Sequence, residues 1–335
     1  MIRTRRGATF NVLAVASSKR MLLTQTHIVE ADWAAVLNSD RGAPLDLAAF
    51  ANFLLAAAGP RRAVIVDCSA SESLPLEYAG WIARGIHIVT PNKKGFSSDL
   101  ALYQSLTTRG PALCLFEATV GAGLPVLATL TDMMDSGDRV EEVEGILSGT
   151  LSFIFNTFST PAGPSALRFS DIVKDARARG FTEPDPRDDL NGMDFARKVV
   201  ILARIAGFAS DLSTTQVQNL VPPALQSVTG TDAFLARLDE MDAEFDRLNR
   251  EAFAAGQVLR YVGRIDGNGA GSVGLQRYAF AHPFAGLSGS DNIVSLRTER
   301  YSNPLIIRGA GAGAQVTAMG VLGNMLRIAD ACSMM

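Results

Sequence analysis

AVIVDCSASESLPLEYAGWIARGIHIVTPNKK, residues 63–94, sets the architecture. Ala63–Asp67 and Ile86–Thr90 are short apolar runs rich in β-branched residues, as expected of strands covered on both faces. Leu76–Arg84 lies between them with helical spacing. Strand, helix and strand over about thirty residues is a βαβ unit, and it predicts a parallel sheet. Reading outward, Leu113–Ala118 and Phe10–Ala16 (FNVLAVA) read as further buried strands, while Leu45–Ala58 and Ser98–Thr108 read as covering helices. The first half, residues 1–148, is therefore expected to be an α/β, doubly wound, Rossmann-like nucleotide-binding domain. After about Gly149 the rhythm changes. Helices are expected at Ser170–Arg179, Gly192–Ala206 and a long Asp232–Ala255, then strands at Val258–Ile265, Ser272–Ala279, Ile293–Arg300 and Leu305–Arg308. That order predicts an α+β substrate-binding and dimerisation domain over 149–308. A C-terminal helix within 313–331 is expected to complete the first domain.

The chain has 335 residues, enough for two cores. Its 31 Lys and Arg against 34 Asp and Glu give a net charge of −3, which offers no basic field for nucleic acid. Cys68, Cys114 and Cys332 are scattered, as are His27, His87 and His282. This suits a reducing, cytoplasmic compartment and argues against structural zinc or a Ser-His-Asp site. The richest apolar run, Ala48–Ala58, is broken by Asn52 and is too short to span a membrane. Arg3, Arg5 and Arg6 precede the first acidic residue, Glu30, a pattern shared with transit peptides. The strand reading of Phe10–Ala16 is preferred to it.

Four segments carry chemistry. Gly180–Lys198 reads GFTEPDPRDDLNGMDFARK, an acidic loop (Glu183, Asp185, Asp188, Asp189) expected to be held extended by Pro184 and Pro186. It ends at Asn191-Gly192 and leads into a helix that places Asp194 and Lys198 four residues apart on one face. Ala196, Val199, Val200 and Ala203 mark that helix's buried side, and the pair lies beside it. Such a pair is usually a solvated ion pair; next to an acidic loop it becomes a candidate substrate and proton-transfer site. Thr90–Lys94 (TPNKK) sits where doubly wound folds bind ligands. Glu117–Pro125 (EATVGAGLP) carries two glycines between a strand and a helix, suited to a phosphate turn or to carbonyls around a cation. It does not match GxGxxG. Gly309–Gly313 (GAGAG) looks like a dinucleotide fingerprint but lacks the strand and acidic residue that should follow, so it reads as a tight turn of close backbone approach.

Taken together and in this order, TPNKK, EATVGAGLP, GILSGT, TEPDPRDDLNGMD-x-ARK and RGAGAG resemble homoserine dehydrogenase from about Phe10 to Ala329. The resemblance implies NAD- or NADP-dependent reduction of L-aspartate 4-semialdehyde to L-homoserine, on the route to threonine, isoleucine and methionine. It implies Lys198 as proton donor, Asp194 and Glu183 as substrate ligands, and Lys93 between nicotinamide and substrate. It further implies cofactor contacts at Ser69, Gly180 and Gly313. A monovalent cation, sodium, is implied on Glu117, Val120, Ala122 and Leu124, mostly through carbonyls. A homodimer is implied as well.

Phe10–Ala16 aligns with the family's second strand, so the first strand and its glycine-rich turn are expected to be missing. The strand ends in Ala16-Ser17-Ser18-Lys19-Arg20, with no acidic residue; Lys19 or Arg20 would then favour a 2′-phosphate, and hence NADP. The lost turn would have held the pyrophosphate. A second reading follows: a weak or inactive fragment that keeps only its capacity to dimerise.

Overall fold

His87–Val89 is buried at all three positions, as the middle strand of a parallel sheet must be. It pairs in parallel with Val64–Val66 on one side and Cys114–Leu115 on the other. Pro75–Ala83 forms the crossover helix between the first two, opened by a proline whose missing N–H costs nothing there. This computed structural model describes residues 2–3, 7–28 and 32–333. Arg5, Arg6 and Glu30 lie outside the described residues. Two compact units are present: residues 1–90, 104–116 and 322–335 form the first, and 91–103 with 117–321 the second.

In the first unit the expected strand Phe10–Ala16 is not formed. Thr9–Phe10 and Ala14–Ala16 are separate short strands, and none of residues 10–16 is buried. Ala14–Ala16 pairs antiparallel with Arg20–Leu23, which pairs antiparallel with Ala43–Pro44. The cause is local. Ser17 accepts from the N–H groups of Lys19 and Arg20 through its hydroxyl and donates its own N–H to the Arg20 carbonyl, closing a tight turn that sends the chain straight back. Among the described residues this sheet shares no ladder with the parallel one. Leu22, Ile28 and Leu37 form its own small core.

The second unit is built on six strands in the order Gln216–Val217, Gly271–Ala279, Gln257–Asp266, Val140–Ile146, Asp291–Thr298, Leu305–Ala310. The central Val140–Ile146 lies antiparallel to both neighbours. Its sequence, VEEVEGI, gives no strand signal because three glutamates interrupt it. Those glutamates are paired across strands, Glu141 and Glu142 to Arg297 and Glu142 and Glu144 to Arg264. The strand therefore belongs with the second unit, whereas a boundary near Gly149 would put it with the first. Residues 91–103 also go with the second unit.

Helix Gly149–Phe158 packs on this sheet through Phe155 and Phe158, which join Phe169 and Phe245 in one aromatic cluster. Arg260, 1 % exposed, donates to the carbonyls of Phe155, Ser159, Phe284 and Ala285 and so fixes that helix's end to the strand beneath it. The long helix expected over Asp232–Ala255 is divided into Thr231–Ala236, a 3₁₀ turn Leu238–Met241, and Asp242–Ala254. Phe234, Leu238, Met241 and Phe245 keep a helix-like spacing and are all buried. The backbone tightens before Asp242, whose carboxylate accepts from the Ser170 N–H and hydroxyl of the neighbouring helix Phe169–Ala178.

Helix Ala314–Ser333 passes Gly320 against the loop 117–124. A Cβ at Gly320 would lie 2.5 Å from the Ala122 carbonyl oxygen and 3.2 Å from the Ala118 Cβ. Gly320→Ala sets two effects against each other: about 0.5–1 kcal/mol of helix propensity gained and the overlap with a backbone carbonyl. At that distance the overlap dominates, and a net loss of about 1–3 kcal/mol is expected in denaturant unfolding. An unchanged or raised midpoint would mean that the helix does not seat here.

Candidate active site

The helix Met193–Ile205 organises the site. Gly192 precedes it in a left-handed conformation, φ +75°, and a Cβ there would fall 2.1 Å from the Tyr261 hydroxyl. That hydroxyl is itself fixed by donation to the Gln218 carbonyl, 2.6 Å away. Glycine is thus required for both backbone and space. The Asn191 side chain, just before the cap, accepts from the Met193 N–H at 2.8 Å and satisfies the first free donor of the helix. Ala196, Val199, Val200 and Ala203 are 0–1 % exposed, as the sequence periodicity anticipates, and with Phe195, also 1 % exposed, they pin one face of the helix in the core.

Asp194 lies in the first turn, where a negative charge is favoured by the helix dipole. It does more than pair with Lys198 along the helix. Its Oδ2 lies 2.8 Å from Lys198 Nζ, and its Oδ1 lies 3.2 Å from Lys93 Nζ. The carboxylate thus bridges the two lysines named from sequence. Packing around Asp194 opposes ionisation, but the charges of Lys198 and Lys93 and their hydrogen bonds prevail and hold its carboxyl well below the usual range. Its side chain still exposes 51 % of its surface, against 13 % for Lys198 and 28 % for Lys93, so the bridging carboxylate remains reachable. Lys198 also donates to the Leu147 carbonyl at 2.7 Å. Of the three N–H bonds of its ammonium, two are therefore engaged and one remains to be directed elsewhere.

The acidic loop is not extended as its prolines suggest. Pro186 has helical dihedrals and opens a one-turn helix, Arg187–Leu190. The reason is Arg187, which folds back onto Asp185 with a 2.6 Å ion pair and donates to the Val228 carbonyl. Asp185 is pulled down to about 2 by the Arg187 hydrogen bonds and serves structure. Glu183 joins the site through its backbone: its N–H donates to Asp189 Oδ2 at 2.8 Å. Its side chain borders an open hollow of about 450 Å³ shared with Lys174, Arg177 and Leu235.

Asp189 is a group that spacing alone did not single out. Its Oδ1 lies 2.9 Å from the hydroxyl of Thr150, the last residue of GILSGT. Burial pushes its carboxyl up to about 6, aided by the charges of Glu183 and Asp194 and opposed by the Glu183 and Thr150 hydrogen bonds. Ser148 caps helix Gly149–Phe158, accepting from the Leu151 N–H at 3.2 Å. The motif GILSGT thereby sets both the Leu147 carbonyl on Lys198 and Thr150 on Asp189.

The loop expected to hold a cation contains two consecutive left-handed residues, Gly121 at φ +76° and Ala122 at φ +53°. Among the described residues only Arg61 and Ala122 are non-glycines in that region, where an alanine costs about 1–2 kcal/mol. The buried Glu117 carboxylate accepts from the N–H groups of Leu127 and Ala128 at the start of helix Val126–Asp135. Among the described residues no three His, Cys, Asp or Glu side chains converge as a metal cage.

In the first unit, Ser69 follows the carboxyl end of Val64–Val66. Its N–H donates to Asp67, whose carboxylate is also bonded by the Tyr78 hydroxyl. Lys19 is exposed. Arg20 is committed: it donates to the carbonyls of Leu37, Ser39 and Gly42, closing the turn after helix Trp33–Asn38, and so is not free for a 2′-phosphate. The helices beginning at Trp33 and Leu47 carry Asp32 and Asp46 as caps, so each of these helix starts already holds a carboxylate. Gly180 and Gly313 have φ of +72° and +109° and stand at a helix end and a helix start respectively.

Comparison with known proteins gives the same direction throughout. The family model described as homoserine dehydrogenase matches residues 125–326, and that described as homoserine dehydrogenase, NAD binding domain, matches residues 2–112. The homoserine dehydrogenase of Saccharomyces cerevisiae is 44 % identical over 329 residues, covering 96 % of this chain and 91 % of the yeast protein. A Candida auris protein of unknown function has a crystal structure that superposes with a TM-score of 0.89 at 46 % identity, over 96 % of this chain and 91 % of that one. A hyperthermophilic archaeal homoserine dehydrogenase solved with NADPH shares the fold, with a TM-score of 0.70 at 20 % identity over 95 % and 87 % of the two chains. The chain belongs to the homoserine dehydrogenase family and is an NAD(P)-dependent oxidoreductase.

Proposed function

We propose that Lys198 is the proton donor that converts the aldehyde oxygen of L-aspartate 4-semialdehyde into the hydroxyl of L-homoserine. The observation that carries this is the bridging carboxylate: Asp194 holds Lys198 and Lys93 together while the Leu147 carbonyl takes a second Lys198 hydrogen. The remaining N–H of Lys198 is the one aimed at substrate. When bound, a nicotinamide cofactor would supply hydride for the carbonyl carbon. Lys198 meets the charge that grows on oxygen and releases its proton there, and in the reverse direction the same amine accepts the alcohol proton. Two ammonium groups and one carboxylate leave the cluster net positive by one, which favours a developing alkoxide and a substrate carboxylate. Glu183 and Asp194 orient the substrate, and Lys93 stands between it and the nicotinamide. The alternative of an inactive fragment is not favoured by this arrangement.

Ser69, Gly180, Gly313 and Lys93 are proposed to contact the cofactor. With Arg20 engaged in a turn, Lys19 is the cation left to meet a 2′-phosphate, which favours NADP; the archaeal relative binds NADPH. Glu117 and the carbonyls of Val120, Ala122 and Leu124 are proposed to hold sodium. The left-handed Ala122 supports this, since such strain persists where the surroundings require it. A homodimer formed through the second unit and a cytoplasmic location complete the reading, in the synthesis of threonine, isoleucine and methionine.

Lys198→Ala is expected to lower kcat by roughly 10²–10⁴-fold while leaving NADPH binding, measured by fluorescence, unchanged. A rate within a few-fold of the parent protein removes Lys198 from the proposed role. Replacing sodium by choline at constant ionic strength should lower activity, and readdition of sodium should restore it; equal rates in the two salts exclude the cation.

Asp189 generates a pH prediction. Its folded pKa, about 6, is raised above the unfolded value. The folded state therefore holds a proton that the unfolded state releases between about pH 4 and pH 6, and stability falls as pH rises through that window. Above it, both states are ionised and the folded state carries the full burden of a poorly solvated charge. Asp189→Asn should accordingly raise Tm above about pH 6, with the difference shrinking towards pH 4. A difference in Tm independent of pH would show that the carboxyl is not the cause.

A further inference from the structure

We propose that Arg204 is a positioning residue for this reaction: it fixes the turn that carries Lys93 against the helix that carries Asp194 and Lys198. The inference rests on the roles given above to those three residues.

Arg204 occupies the last turn of the helix Met193–Ile205, ten residues after Asp194. Its side chain has no exposed surface. Its nearest carboxylate, Asp211, is 3.8 Å away and exposes 45 % of its side chain. The close partners are carbonyls. Nη1 donates to Phe96 O at 2.9 Å, Nη2 to Ser98 O at 2.6 Å and Nε to Ser210 O at 2.9 Å, while the guanidinium lies 5.4 Å from the Tyr103 ring centre. Phe96 and Ser98 belong to the end of the one-turn helix Lys94–Ser97, where carbonyls lack partners of their own. A helix of four residues cannot hold itself in water, so its seat depends on what grips it from outside.

Lys93 is the N-cap of that turn. The Lys93 carbonyl accepts from the N–H groups of Phe96 and Ser97 and from the Ser97 hydroxyl at 2.9 Å. The same hydroxyl lies 3.4 Å from Nη1 of Arg197, on the same long helix. The turn is thus gripped at its carboxyl end by Arg204, at its middle through Ser97 and Arg197, and at its start by the Lys93–Asp194 ion pair. The first two grips place the Lys93 backbone; the third then forms at 3.2 Å. Phe96, 0 % exposed, adds the apolar seat. A lysine at 204 would keep the charge, but a single ammonium cannot reproduce a planar fork that reaches two carbonyls of the turn and a third on Ser210.

Loss of this grip has a specific consequence. Asp194 is faced by Lys93 and Lys198, with Asp189 as the neighbouring carboxyl. If Lys93 withdraws, Asp194 loses one of its two cations and Lys93 leaves its place beside Lys198, so turnover falls while cofactor binding is kept. A destabilised but correctly seated protein would not change in that way.

The test uses Arg204→Lys and Ser97→Ala in the full chain, with Arg260→Lys as a control. Arg260 is equally buried and bonded to carbonyls, but it grips helix Gly149–Phe158 instead. Arg204→Lys is expected to lower kcat roughly 10–100-fold with the KM for NADPH within about twofold, a split that simple destabilisation would not produce. Ser97→Ala should do the same to a smaller extent, and it decides the matter if Arg204→Lys does not fold. Arg260→Lys should lower Tm and leave kcat within about twofold of the parent protein. A folded Arg204→Lys or Ser97→Ala protein with the parent kcat overturns the proposal. If the parent protein itself does not turn over aspartate semialdehyde, that failure belongs to the assigned reaction. The crystal structure of whichever variant folds then decides the position of Lys93: Nζ more than 4 Å from Asp194 is the expected result, and an undisturbed ion pair overturns the inference.

Discussion

A half-exposed carboxylate held between two ammonium groups is the constraint around which the second unit is arranged. Asp194 alone would be a solvated first-turn residue. With Lys198 at 2.8 Å and Lys93 at 3.2 Å it becomes a fixed acceptor that orients two cations and stays charged. Each partner needs its own support. Lys198 is steadied by the Leu147 carbonyl, itself set by the turn before helix Gly149–Phe158. Lys93 rides on a one-turn helix that cannot stand alone. The long helix beneath is pinned by a face of five nearly inaccessible residues, so the charges sit on a rigid element while their outer surface stays reachable.

The acidic loop shows how one stretch of carboxylates divides into different tasks. Asp185 is captured by Arg187 and becomes architectural. Asp189 is packed in beside Thr150 and pushed towards neutrality. Glu183 lends its N–H to Asp189 and keeps its carboxylate at the surface. Identical functional groups within seven residues thus differ in protonation and role because burial and partners differ at each position. Arg20 makes the complementary point for a cation. Position suggests a ligand for phosphate, whereas three carbonyls of a nearby turn have already claimed its donors.

Much of the fold and the centre of the site were legible in the residues. The βαβ rhythm over 63–94 gave the parallel strands because buried strands need unbroken apolar runs. The period of Ala196, Val199, Val200 and Ala203 gave the buried face and therefore the direction of Asp194 and Lys198. Elsewhere the reading and the structure part for identifiable reasons. Phe10–Ala16 has a strand's composition, but the Ser17 turn makes a local hairpin available at once. Val140–Ile146 hides a central strand behind glutamates whose partners lie on strands over a hundred residues away. Asp232–Ala255 has helical spacing throughout, and its division coincides with the docking of Asp242 on Ser170, a contact that spacing does not reveal.

The sequence by itself determined the family, the candidate motifs and the helix that carries two of their charged groups, because these depend on local spacing and on residue types that few chemistries require. Tertiary structure decided which of the charged groups act together. Hydrogen bonds and direct ion pairs form only at contact distance, and the contacts that matter join Lys93 to Asp194, Thr150 to Asp189 and Arg204 to Phe96 across roughly forty to a hundred residues of chain. Spacing along a helix can place two residues on one face; only the folded chain can bring a third from elsewhere and fix it there.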